Sequence, residues 1–110
     1  MPSEFIQGAD YDLRFQYKLN GIPYDLTDCT VHHTWKKSKT DTVPALHISK
    51  TEHESLYETV LKITPELTNS LALGTYYHDF VIVTAEGRVV TDPKMQGHHI
   101  LREMLTPLGV

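Results

Sequence analysis

Tyr11 to Lys37 read YDLRFQYKLNGIPYDLTDCTVHHTWKK, and the lettering of this stretch decides the fold. In its first part Leu13, Phe15, Tyr17 and Leu19 alternate with Asp12, Arg14, Gln16 and Lys18. A period of two is what a strand with one buried face requires; a helix would scatter those apolar residues around its circumference. Asn20-Gly21 follows, a pair that accepts positive φ at low cost and so marks a reversal. In the second part Cys29, Val31, His33 and Trp35 share one face, with Thr30, His32, Thr34 and Lys36 on the other. The corner between the two strands holds Pro23, which fixes φ and has no amide hydrogen to donate. Tyr24 and Leu26 are expected to turn inward there, while Asp25, Thr27 and Asp28 offer oxygens to local backbone amides.

Working outward, residues 1 to 10 read as an arm in which Phe5 and Ile6 either add an edge strand to the same sheet or reach another subunit. Beyond a polar loop, Ala45 to Lys50 makes a short strand and Tyr57 to Ile63 a longer one. Thr64-Pro65-Glu66 has the features of a helix start, and about two turns should follow, with Leu67, Leu71 and Leu73 facing the sheet and Gly74 closing the segment. Thr75 to Thr84 is the strongest strand former and carries bulk on both faces, Tyr76, His78, Phe80 and Ile82 against Tyr77, Asp79, Val81 and Val83, which predicts a mid-sheet position. Ala85-Glu86-Gly87 is a hairpin turn returning through Arg88 to Thr91, Asp92-Pro93 interrupts, and pairing resumes near Met95 to Leu101. The predicted fold is all-β, an antiparallel sandwich of about seven strands with one short helix near 64–73. The chain divides into an arm at 1–10, a sandwich domain at 11–101 and a tail at 102–110.

The 110 residues suit one domain, and 40% hydrophobic with 22% charged residues is an ordinary globular composition. A formal charge of −4 with ten Lys and Arg argues against nucleic acid as a partner, because phosphate neutralisation needs basic residues gathered on one surface. Lys36, Lys37 and Lys39 read as a solvated strand end. No apolar run approaches the roughly 18 to 20 residues of a membrane span, and MPSEFIQGAD lacks the basic start and apolar block of an export signal. A soluble protein with no membrane partner is therefore expected. Cys29 is the single cysteine, which excludes an internal disulfide, and its apolar neighbours make it a small buried hydrophobe.

Seven histidines are the one compositional feature that invites chemistry, with His32-His33 and His98-His99 as pairs and His47, His53 and His78 alone. Adjacent strand residues point to opposite faces, so neither pair can chelate an ion by itself; a site would need one member of each pair brought together across a sheet. No zinc-module spacing is present, and the imidazoles read instead as groups satisfied by backbone, or as interface residues that loosen on acidification. There is no glycine-framed nucleophile, no EF-hand run around Asp25, Asp28 or Asp41, and no phosphate loop. Asp79 beside His78 points away from it. No catalytic residue, cofactor or metal is therefore assigned, and the chain reads as a non-enzyme. Trp35 and Phe80 are expected in the core; some of Tyr11, Tyr24, Tyr57, Tyr76 and Tyr77 are candidates for half exposure, although core membership is the commoner fate of any single one.

Several phrases, in order, carry a resemblance: Pro23 to Thr27, Cys29 to Val31 with Lys36 and Lys37, Thr64 to Glu66, Gly74 to Tyr77 with Asp79, and Gly87 to Val89. Across roughly Gly8 to Thr91 the chain resembles small phage and prophage virion proteins similar to the N-terminal domain of siphophage upper baseplate proteins. The resemblance implies an immunoglobulin-like β-sandwich acting as a building block of a tail, baseplate, neck or capsid surface, located in the virion and assembled in the host cytoplasm. It transfers no catalytic residue. The His-rich ending KMQGHHILREMLTPLGV departs from the family pattern and suggests a tail specialised for contact. The expected partners are other virion proteins and copies of the same chain, through Phe5, Ile6, His98, His99, Ile100 and Leu105. The alternative is a carbohydrate- or host-surface-binding module using exposed tyrosines.

Overall fold

A computed structural model describes residues 3–106. Pro107 and Gly109 of the predicted tail, and the first two residues of the predicted arm, lie outside the described residues. The chain is all-β and sandwich-like, and its described residues form ten strands, one short α-helix and one 3₁₀ turn. The strands are β1 (Glu4–Ile6), β2 (Tyr11–Phe15), β3 (Lys18–Leu19), β4 (Ile22–Pro23), β5 (Thr30–Lys36), β6 (Leu46–Lys50), β7 (Thr59–Ile63), β8 (Gly74–Val83), β9 (Val89–Val90) and β10 (Gly97–Arg102). The helix α1 covers Pro65–Thr68 between β7 and β8, and the 3₁₀ turn covers Pro93–Met95.

The larger layer runs β1-β10-β8-β5-β6, with β9 also paired to β8. Strand β8 is central, as its two bulky faces predict, between β10 and β5. All pairings in this layer are antiparallel except β1 with β10, which is parallel. The smaller layer is the antiparallel pair β2 and β7. Leu13 and Phe15 of β2 and Leu61 and Ile63 of β7 form one apolar core with Val31 and Trp35 of β5, Tyr76, Phe80 and Ile82 of β8, and Leu101 of β10. Phe15 and Phe80 stack across the layers at 4.7 Å, a ring-to-ring contact that adds to the burial of both side chains. The alternation in β5 is realised strictly, with Val31, His33 and Trp35 buried and their neighbours half-buried.

The first strand is shorter than predicted. It ends at Phe15, and Lys18–Leu19 pairs instead with Ile22–Pro23 in a separate hairpin. Asn20 (φ 54°) and Gly21 (φ 78°) both sit in the left-handed region, the geometry of a two-residue type I′ turn. The Tyr24 amide donates to the Tyr17 carbonyl at 2.8 Å, closing the base of this hairpin. Leu19 thus stands 48% exposed beside Ile22 at 69%, instead of inside. The hairpin can leave the sandwich because its turn satisfies its own backbone.

The arm is part of the sheet. Besides β1 pairing, the Gln7 side-chain amide donates to the carbonyls of Thr68 (3.0 Å) and Leu71 (2.9 Å), and the Gly8 amide donates to the Thr68 hydroxyl (3.0 Å). The Thr68 carbonyl at the helix end also accepts from the Leu71 amide at 3.0 Å, so Gln7 adds a second donor there and ties the arm to the chain that follows the helix. This explains why α1 is one turn rather than two: the chain past Thr68 is taken over by the arm, and Leu73 is 45% exposed while Leu67 and Leu71 pack on the core. Tyr57, the expected start of β7, also lies outside at 44% exposure.

Candidate functional site

Strand register places three histidines on the inner face of neighbouring strands. In β5, β8 and β10 the pairs His33↔Phe80, Trp35↔His78, Gly97↔His78 and His99↔Tyr76 make His33, His78 and His99 diagonal neighbours. Their candidate ligand nitrogens all lie within 4.8 Å of one another. This is one member of each sequence pair plus His78, the convergence across a sheet that the alternation of side chains demands of any shared site. His33 is 0% and His99 2% exposed, and His78 is half-buried. The rings of His78 and His99 stack at 3.7 Å with planes 3° apart, and His33 stacks on Phe80 at 4.2 Å.

The protonation of His33 follows from its partners. Nδ1 meets the Asp79 carbonyl oxygen at 2.9 Å, which can only accept, and Nε2 meets the indole N–H of Trp35 at 2.8 Å, which can only donate. His33 is therefore the neutral tautomer with its proton on Nδ1. The others are less well served. His78 Nδ1 and both ring nitrogens of His99 are buried with no partner among the described residues. Burial pushes His33 and His78 down to about 4 and His99 to about 3, and in each case neighbouring imidazoles push the same way. All three are neutral at pH 7.

Gly97 makes room for this arrangement. A β-carbon there would come 3.0 Å from His78 Nε2, closer than ordinary contact. Gly97→Ala should therefore displace the His78 ring from its stack and cost about 1–3 kcal/mol, as overpacking does. Urea denaturation gives the cost, and the His78 ring-proton shifts in an NMR spectrum should move with it.

The outer face of the same strands is an open groove of about 720 Å³ lined by His32, Lys36, His47, Tyr77, Asp79 and His98. His32 Nδ1 and His47 Nε2 share a hydrogen bond of 3.0 Å, and Tyr77 rests on His98 at 4.7 Å with the Lys39 ammonium 5.0 Å above its ring. Burial, then His47, lowers the pKa of His32.

Of the predicted contact residues, Phe5 and His99 prove to be core: Phe5 is 1% exposed and packs on Tyr11, Trp35 and His99. Period-two strands turn every other residue inward, and these two fall on the inner side. Ile6 and Ile100 are half-buried, while His98 and Leu105 face solvent, Leu105 at 90%. The loop aspartates serve turns, as read from the sequence: Asp25 accepts from the Thr27 amide and hydroxyl, and Asp41 from the Ser38 amide. Burial raises the pKa of the Cys29 thiol, which suits a packed side chain and not a nucleophile. No described helix is long and apolar enough to cross a membrane. Set against known proteins, the chain matches no family model, and no curated protein or solved structure is significantly similar to it.

Proposed function

We propose that the chain is a non-enzymatic structural subunit of a phage particle, in its tail, baseplate, neck or capsid surface, and that it works by docking onto other virion proteins and onto copies of itself. The observation that carries this reading is the β3–β4 hairpin, which holds two paired aliphatic side chains, Leu19 and Ile22, out in solvent. Exposed apolar residues on a projecting element favour burial against a partner. The β6 edge, whose outer side pairs with no described strand, offers backbone groups for strand addition. The family resemblance over Gly8 to Thr91 supplies the particle context.

The test is co-purification. The chain should be found by mass spectrometry in purified particles of the phage or prophage that encodes it, and a Leu19→Asp, Ile22→Asp variant should fold unchanged yet fail to be incorporated. Both positions are exposed, so the effect on stability is expected within about 0.5 kcal/mol. A chain absent from particles and strictly monomeric in solution would overturn the reading. The glycan-binding alternative has less support: the one exposed tyrosine among the described residues is Tyr57, at 44%, and Tyr77 in the outer groove is half-buried under Lys39.

A further inference from the structure

We propose that His33, His78 and His99 bind one divalent transition-metal ion, zinc being the natural occupant, and that the ion ties β5, β8 and β10 together inside the sandwich. This goes beyond the assembly reading and stands or falls separately from it.

Three observations carry the inference. Buried polar atoms without partners are rare and cost about 1–3 kcal/mol each. Five such side-chain atoms occur among the described residues, and three of them are ring nitrogens of His78 and His99. Each neutral ring has one lone pair, so a cation satisfies one nitrogen of His78 and one of His99 at once where no protein donor reaches, and the second nitrogen of His99 is an N–H that it leaves as it was. Second, His33 already has the outer hydrogen bond that ligand histidines show: its Nδ1–H donates to the Asp79 carbonyl, fixing the ring and leaving Nε2 as the basic atom. Third, the donor set is chemically selective. Neutral imidazoles suit zinc, copper or nickel and not calcium or magnesium, which require oxygen ligands.

Capture of the ion requires small, definable movements. Zinc–nitrogen bonds of 2.0–2.1 Å in a tetrahedral site put donors roughly 3.3 Å apart, so a cluster now spread over as much as 4.8 Å must contract. The lone pair of an imidazole lies in the ring plane, and rings stacked 3° from parallel cannot both aim at one point between them. One ring must turn about χ2, a broad and soft torsion. His33 Nε2 must also exchange the Trp35 indole proton for the metal. A cavity of about 600 Å³, lined by Phe15, Met95 and the hydrogen-bonded pair Tyr17 and Asp92, reaches His78 and His99 but not His33, so the ion enters from the side of β8 and β10.

The experiment uses the full, untagged chain stripped with a chelator and titrated with Co²⁺, then Zn²⁺. The expected result is one equivalent of Co²⁺ with the intense visible absorption of a four-coordinate site, its displacement by Zn²⁺, and a change in the emission of Trp35, the only tryptophan, as its indole proton loses its acceptor. Zinc should also raise Tm. His99→Gln should weaken binding at least tenfold, whereas a His32→Gln, His47→Gln variant, which removes the outer histidine pair, should bind as before. Loss of binding in the outer variant with retention in His99→Gln overturns the proposal, and so does the absence of stoichiometric uptake at micromolar metal. Should His99→Gln fail to fold, the ring-nitrogen shifts of the unaltered chain decide. Zinc must move those of His33, His78 and His99; movement confined to His32 and His47 places the ion on the outer face and refutes the assignment.

Discussion

Acidification from pH 7 to pH 4 is expected to unfold the chelator-treated chain. Histidines in an unfolded polypeptide take up protons near pH 6.5, whereas burial holds His33 and His78 to about 4 and His99 to about 3 in the folded state. Between those limits the unfolded state binds protons that the folded state cannot, so stability falls as the pH falls and levels off below the folded values. Among the described residues no carboxylate partners any of the three imidazoles; the acceptor on His33 is the main-chain oxygen of Asp79. Allowing for the partial exposure of His78, the three groups together withdraw on the order of 5 kcal/mol by pH 4, comparable to the entire stability of many domains of this size. Glu54, held to about 2 by Lys50 and the Val60 amide, acts in a separate window below pH 4.5, where it loses its stabilising charge. Circular dichroism and Trp35 emission followed against pH should show one transition centred between pH 4 and 6. A chain equally stable in urea at pH 7 and pH 4 would show that the imidazoles are not held neutral.

Truncating Phe5 to alanine is expected to cost about 3–5 kcal/mol, the range for a buried aromatic ring. Phe5 sits on β1 opposite Leu101, 1% exposed, with its ring edge-on to Tyr11 at 4.9 Å and to His99 at 4.7 Å, and tilted on Trp35 at 5.2 Å. The exposed Glu4–Arg102 ion pair beside it adds little, because solvent screens such pairs. The loss should therefore come almost wholly from the ring, and Glu4→Gln should leave stability nearly unchanged. Urea midpoints of the two variants separate these contributions. A Phe5→Ala chain that keeps its stability but loses self-association would mean that β1 leaves its own sheet and completes a neighbour's, the other fate open to such an arm.

What the sequence determined by itself was the facing of side chains. The alternation through Cys29, Val31, His33 and Trp35 told which residues of that strand turn inward, because a strand's period of two is a property of local backbone geometry; through Thr75 to Thr84 it sorted residues by face but, with bulk on both faces, named neither as the inner one. The Asn20-Gly21 reversal was legible for the same reason: it depends on the φ that two residues accept. The tertiary structure alone decided which inward residues meet. The parallel seat of β1 on β10, the early end of β2 at Phe15, the single turn of α1 and the meeting of His33, His78 and His99 all depend on strand order and register between segments distant in the chain. Local alternation carries no record of those pairings, since any inward face can be closed by several partners. Only packing the whole core selects the one that leaves Phe5 inside and three imidazoles side by side.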